Sequence, residues 1–142
     1  MTPFRFVVVT TLALGVASCT SPRGTVSPEI TRIEYNSCHS AFLTFTPDGW
    51  VEGAYFHGDL EFVREVRKQI PKSKVDAIWA RVAALPSSFR GLKVEPQPDW
   101  KQFLELRISY ADGVQAHLAW MWGEHPGAKV EALVQLLTAE GW

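Results

Sequence analysis

Cys38, His39 and His57 are the residues whose types and spacing best suit a metal site. If residues 41–56 form a hairpin that keeps its register to the strand ends, His39 lies directly opposite His57. Their β-carbons would then be about 4.5–5.5 Å apart, and two imidazole nitrogens at that separation can share Zn²⁺ or Cu²⁺. Cys38 would point to the other face of the sheet, and two ligands alone do not make a tight site. We therefore expect no resident metal or cofactor and keep His39 and His57 as candidate ligands.

A second polar grouping falls in a predicted hairpin near the C-terminal end. His117 is expected opposite Arg107 and beside Glu105. A base and an acid in this arrangement suit proton transfer, but a solvated or half-covered sheet face explains the same pattern. The sequence has no Gly-x-Ser-x-Gly, no His-Glu-x-x-His and no phosphate-binding glycine loop. We predict that the chain is not an enzyme and has no catalytic residues.

Aromatic residues make up 12% of the chain, which is rich for a protein of 142 residues. Trp122 follows the predicted hairpin, whereas Phe89 and Trp100 lie in a connecting segment. Because aromatic side chains anchor many interfaces, these three residues are predicted to form a binding edge. Packing in the core and at the end of the sheet is the alternative.

Two hairpins should position these residues. In the first, Pro47-Asp48-Gly49 is a three-residue turn that pairs Thr46 with Trp50. This register predicts a core face and an opposite, half-covered face. The core face holds Ala41, Leu43, Phe45, Val51, Gly53 and Tyr55, and the half-covered face holds Phe42, Thr44, Trp50, Glu52, Ala54 and Phe56. In the second hairpin, a loop over residues 111–113 pairs Ile108 with Ala116 and unites the apolar residues on one face.

The remaining elements complete the expected fold. Residues 60–70 fit either a helix or a strand, and we favour a strand because Pro71 disfavours a helical Ile70. Residues 73–85 predict a helix that begins with a capping box from Ser73 to Asp76. Residues 86–101 predict a long connector, and a last helix starts near Pro126. The sequence thus predicts an α+β domain with an antiparallel sheet of four to five strands and two helices on one face.

The N-terminal residues predict processing and export. Residues 1–18 have one charge, Arg5, and an apolar stretch too short to cross a bilayer, as in a signal peptide. Val16-Ala17-Ser18-Cys19 resembles a lipobox, in which Cys19 is acylated and becomes the mature N-terminus. Thr20, by resemblance to Gram-negative lipoproteins, allows export to the outer membrane. We expect a signal peptide at 1–18, a lipidated tether at 19–28 and a globular domain at 29–142, with the lipid bilayer as a partner.

The net charge and the distribution of charged residues exclude some classes of binding partner. Without Arg5 the chain has 13 Lys and Arg against 15 Asp and Glu, and no run of like charges appears. We therefore expect no nucleic acid as a partner, since phosphate binding needs a clustered basic surface. Cys38 would be the only thiol left after lipidation, and it would be buried, paired between chains, or reactive. Burial is the alternative we favour.

Cys38, Phe45, residues 48–51 and Ile70-Pro71 together resemble an uncharacterised family of small bacterial lipoproteins, a domain of unknown function. Its members have a cysteine followed by Pro-x-Tyr, an apolar strand, Asp-Gly-x-Val, a helix entry after Ile-Ser/Pro, and a late hairpin and helix. The resemblance covers residues 30–142. It departs at His39 and Ala41, which replace the proline and tyrosine, and at Glu34, where a second cysteine often stands. The resemblance implies no activity.

These observations predict a membrane-anchored lipoprotein of the cell envelope that faces the periplasm and binds an envelope protein or polymer without catalysis. The alternative is a metal-binding or thiol-dependent protein that uses Cys38 with His39 and His57. A purely structural role in envelope assembly fits the sequence equally well.

Overall fold

The computed structural model describes residues 29–38, 40–57 and 61–139, which form one sheet and two helices. Four strands precede the first helix, and three more lie between it and the second. The strands are β1 (Ile30–Ser37), β2 (Ala41–Phe45), β3 (Trp50–His57), β4 (Glu61–Gln69), β5 (Lys93–Val94), β6 (Phe103–Tyr110) and β7 (Gln115–Met121). The helices are α1 (Lys72–Ala83) and α2 (Ala128–Thr138), and a 3₁₀ turn spans Ser87–Gly91.

The sheet is mixed and has seven strands in the order β4-β3-β2-β1-β6-β7-β5. Every neighbouring pair is antiparallel except β5 and β7, which are parallel. The α+β class and the two helices are confirmed, but the prediction of four to five antiparallel strands is wrong. β1 is a separate strand that joins the two hairpins, because it pairs with β2 on one side and with β6 on the other. The two-residue strand β5 lies in the segment predicted to be a connector.

The register of the first hairpin is confirmed. Phe45 lies opposite Val51, and the Thr46 amide donates to the Trp50 carbonyl across the predicted turn. Gly49 has φ +89°, in the left-handed region that this turn requires. The next strand of the meander, β4, confirms the favoured strand over Glu61–Gln69, and it pairs with β3 through a register shift near Tyr55 and Phe56.

The second hairpin also has the predicted register. Ile108 lies opposite Ala116, and Leu106 lies opposite Leu118. The Tyr110 amide donates to the Val114 carbonyl and closes the loop over residues 111–113. The alternating apolar residues of both strands therefore face the same side of the sheet, as is required when only one face of an antiparallel sheet is buried.

Both helices begin differently from the prediction. α1 starts at Lys72 with Pro71 as its N-cap and no side-chain cap, so the predicted capping box from Ser73 is wrong. Pro71 suits this position because it has no N–H to leave unpaired at a helix start. α2 begins at Ala128, near Pro126 as predicted, but its N-cap is Gly127 with φ +115° and Pro126 is not its first residue. The predicted end at Gly141 lies outside the described residues.

The core lies between the sheet and the two helices, which both bury their apolar stripe on it. The predicted stripe of α1 is confirmed, since Val75, Ile78 and Val82 are buried. The largest fully buried side chains among the described residues are Ile33, Leu43, Phe45, Val51, Ile78, Leu106, Ile108, Leu133 and Leu137. One face of the sheet is thus covered by helices, and we call the other face the open face.

Candidate functional site on the open sheet face

A polar cluster sits near the middle of the open face. It consists of Asn36 on β1, Glu105 and Arg107 on β6, and His117 on β7. Alternation along the three strands brings these side chains to the same side of the sheet, because Asn36 lies opposite Glu105 and Arg107 lies opposite His117. The three strands are adjacent in the sheet, so the four side chains meet.

Glu105 is the centre of the polar cluster. Asn36 Nδ2 donates to Glu105 Oε2 at 2.9 Å, and His117 Nε2 lies 2.9 Å from Glu105 Oε1. Arg107 Nη2 donates to the same Oε1 at 3.3 Å. His117 Nε2 is also 3.4 Å from Arg107 Nε, but one ring nitrogen cannot both donate and accept. The shorter contact assigns the Nε2 proton to the bond with Glu105.

Glu105 is only 6% exposed, although it lies on the uncovered face of the sheet. Burial by itself would raise the pKa of this carboxyl group, but hydrogen bonds from Asn36 and His117 and the nearby Arg107 charge outweigh burial and lower the pKa overall. The group is therefore a carboxylate at neutral pH, held rigidly by its partners. A fixed carboxylate of this kind orients the side chains around it rather than acting as a proton donor.

Aromatic side chains lie beside the polar cluster on the same face. Phe56 on β3 lies opposite Phe62 on β4, and Phe42 on β2 lies opposite Ala54, diagonally next to Phe56. Phe42 is 41% exposed and Phe62 is 63% exposed. We call Phe42, Phe56 and Phe62 the aromatic patch. The solvated face of an antiparallel sheet is usually polar, so this patch needs an explanation.

Phe42 connects the aromatic patch to the polar cluster. A small depression of about 80 Å³ lies between them, and its walls include Phe42, Asn36, Glu105 and Arg107. Its fifth wall is Glu34, which pairs with Arg32 at 3.1 Å. The open face thus carries a continuous surface with exposed rings on one side and preorganised hydrogen-bonding groups on the other.

The β4 edge of the sheet is less suited to binding. The edge strand β4 carries charged side chains at Arg64, Glu65, Arg67 and Lys68, and its pairing with β3 contains an irregularity. Charged side chains and bulges on an edge strand discourage the addition of another strand. The described residues therefore favour the open face over this edge as a contact surface.

The predicted metal ligands are only partly described. His57 ends β3, is exposed and lies opposite Glu61, whereas His39 lies outside the described residues, so its pairing with His57 stays a prediction. Cys38 is half-buried, and its Sγ accepts a hydrogen bond from the Phe103 amide at 3.2 Å. Within the described ranges there is no group of three or more His, Cys, Asp or Glu side chains that could hold a metal ion. Cys19 lies outside these ranges.

The three aromatic residues of the predicted binding edge have different environments. Phe89 is 6% exposed and belongs to the core cluster. Trp100 is half-buried, and Trp122, just after β7, is 64% exposed. The Trp122 amide donates to the Gln102 carbonyl, which places Trp122 beside the segment that holds Trp100.

The sequence analysis placed His117 opposite Arg107 and beside Glu105, but it missed the burial of Glu105 and the contribution of Asn36. The sequence held part of this information. Glu105 stands between two apolar residues on a strand, and an acidic side chain in such a place can be covered by the side chains of neighbouring strands. Asn36 could not be assigned to the cluster, since the pairing of β1 with β6 joins residues 69 positions apart.

No protein-family model matches this chain, and no curated protein matches it significantly. The resemblance to small bacterial lipoproteins therefore stays a prediction. Neither described helix is long and apolar enough to span a bilayer.

Proposed function

We propose that this chain is a lipid-anchored protein of the cell envelope that binds an envelope protein or polymer, without catalysis, on the open sheet face. The supporting observation is the exposed aromatic patch next to the buried, hydrogen-bonded Glu105. Exposed apolar patches rimmed by polar groups mark interaction sites in soluble domains. Interface hot spots combine aromatic anchors with well-ordered polar neighbours, and both are in place here.

The polar cluster would supply specificity in this proposal. Glu105 holds Arg107 and His117 in fixed positions. Their solvent-facing atoms would therefore bind a partner with a small loss of side-chain conformational entropy. Arg107 has a side chain that is 47% exposed and so can reach a partner. The aromatic patch would supply most of the binding free energy, since rings bury large apolar areas.

Replacing two rings of the patch is expected to remove binding. The double variant Phe42→Ser/Phe62→Ser, in the full chain expressed in its native cells, should capture its partner at least about thirtyfold less well, because a hot spot contributes about 2 kcal/mol or more. Quantitative mass spectrometry after affinity capture measures this. The matched control is Trp122→Ser, which removes an equally exposed ring outside the open face and should capture normally. Normal capture by the double variant would contradict the proposal, and loss in the control would favour the predicted Trp100–Trp122 edge instead.

The anchor is tested separately. Cys19→Ser removes the only thiol in the predicted lipobox, so a labelled fatty acid should enter the unaltered protein in its native cells and should not enter the variant. Mass spectrometry of the unaltered protein should show a mature N-terminus at Cys19 that carries acyl groups. Equal fatty-acid labelling of the Cys19→Ser variant, or an unmodified Cys19 in the unaltered protein, would contradict the anchor but would not affect the open-face proposal.

A further inference from the structure

A cavity of about 360 Å³ lies on the helix side of the sheet, away from the open face. It is a cleft open to solvent on one side and bordered by the 3₁₀ turn, by β7 and by the beginning of α2. Its walls are mainly apolar and include Pro86, Phe89, Leu92, Leu118 and Val130. Small-molecule sites are usually apolar clefts of about 300–1,000 Å³, so this cavity has the size and lining of a site for a small ligand.

One end of the cavity is positively polarised. Lys129, in the first turn of α2, is the one charged side chain among the described residues that line it. The first turn of α2 also has no side-chain cap, so its leading N–H groups have no acceptor within the helix and attract negative charge. The acidic residue of this turn, Glu131, is held by His125 at 2.7 Å and is not part of the lining.

We propose that this cavity binds a small carboxylate with a hydrocarbon tail, such as a medium-chain fatty acid. The tail lies against Phe89, Leu92 and Leu118, and the carboxylate is paired with Lys129 at the start of α2. The apolar walls select the tail, and the single cation at the rim selects an anion over an amine or an alcohol. This inference is independent of the proposed function, because the cavity and the open face are on opposite sides of the sheet.

The test uses the full chain in its intact native cells and a decanoic acid probe with a photoreactive diazirine on the tail. Labelling should be saturable, should map to residues 86–92 or 126–130, and should be competed by decanoate but not by decylamine or decanol. Lys129→Gln should weaken labelling about tenfold, since a charge-assisted contact is lost, and Lys129→Arg should restore it. The matched control Lys72→Gln removes the same charge from the other helix, outside the cavity.

Filling the cavity provides the decisive comparison. Ser88→Trp places a bulky ring at an exposed position of the lining and should abolish labelling, and Ala128→Trp does the same from α2 should the first variant fold poorly. Unaltered thermal unfolding would show that either variant is folded. Labelling that is unsaturable, that persists in a folded filling variant, or that decanol competes as well as decanoate would overturn the proposal.

Discussion

Gly53→Ala is expected to destabilise the fold by at least about 3 kcal/mol. A β-carbon built on Gly53 would lie 1.9 Å from the Phe42 carbonyl oxygen and 2.9 Å from its carbonyl carbon. Both atoms belong to the backbone of β2, so they cannot move aside without breaking the ladder between β2 and β3. Chemical denaturation of the purified variant measures the loss of stability.

The matched control is Gly91→Ala. Nothing lies within 4 Å of a β-carbon on Gly91, at the end of the 3₁₀ turn. This variant should unfold within about 0.5 kcal/mol of the original protein, as surface substitutions usually do. A small loss for Gly53→Ala, equal to that of the control, would show that β2 and β3 are not paired as described.

Glu105→Ala is expected to cost about 2–3 kcal/mol, because hydrogen bonds to charged groups contribute about 1.5–3 kcal/mol and their loss leaves Asn36, Arg107 and His117 without their shared acceptor. The matched control is Glu52→Ala on the same face of the sheet. Glu52 also pairs with an arginine, Arg67, at 3.4 Å, but its side chain is 58% exposed. Such a surface pair contributes about 0–1 kcal/mol, so an equal cost for both variants would contradict the buried cluster.

The contribution of Glu105 to the free energy of unfolding should also decrease as the pH falls. Because the folded state lowers the pKa of Glu105 from its ordinary 4.5, the carboxylate stabilises the fold fully above that ordinary value. This stabilisation is lost as the pH falls through the lowered pKa of the folded state. The stability difference between the original protein and Glu105→Gln should therefore be largest above about pH 5 and shrink as the pH falls below the ordinary pKa. A difference that grows on acidification would mean that the folded state raises this pKa instead.

The two hairpins could be predicted because their turns are local. Asp48-Gly49 and Asp112-Gly113 fix loops of three residues, and hydrophobic alternation then leaves one register that unites the apolar faces. The strand over residues 61–69 followed from Pro71 in the same way. Turn residues and the two-residue alternation of a strand can both be recognised within a short stretch of sequence, so these elements could be predicted.

The missed elements depend on distant parts of the chain. β5 is too short for any periodicity, and it is a strand only because Lys93 and Val94 reach β7. The start of α1 was displaced because Pro71 takes the cap position that Ser73 was expected to fill. The burial of Glu105 likewise requires β1 beside β6, a pairing that no sequence window contains.

Only part of the aromatic patch could be predicted from the sequence. Alternation placed Phe42 and Phe56 on the less buried face of the first hairpin, and that is where they lie. The pattern did not indicate that Phe62 on β4 would join them or that Phe42 would border the Glu105 cluster. The candidate surface became visible only when the six neighbouring strands from β4 to β7 were assembled.

Photocrosslinking in living cells tests most directly whether the open face is the binding surface. A photoreactive phenylalanine analogue at Phe62, the most exposed ring of the patch, is compared with the same analogue at Arg81, an exposed position on α1. We predict a discrete crosslinked product from position 62, absent from position 81 and lost when Arg107 is replaced by Ala. Identical products from both positions, or a product from position 81 alone, would contradict the open face as the site of binding.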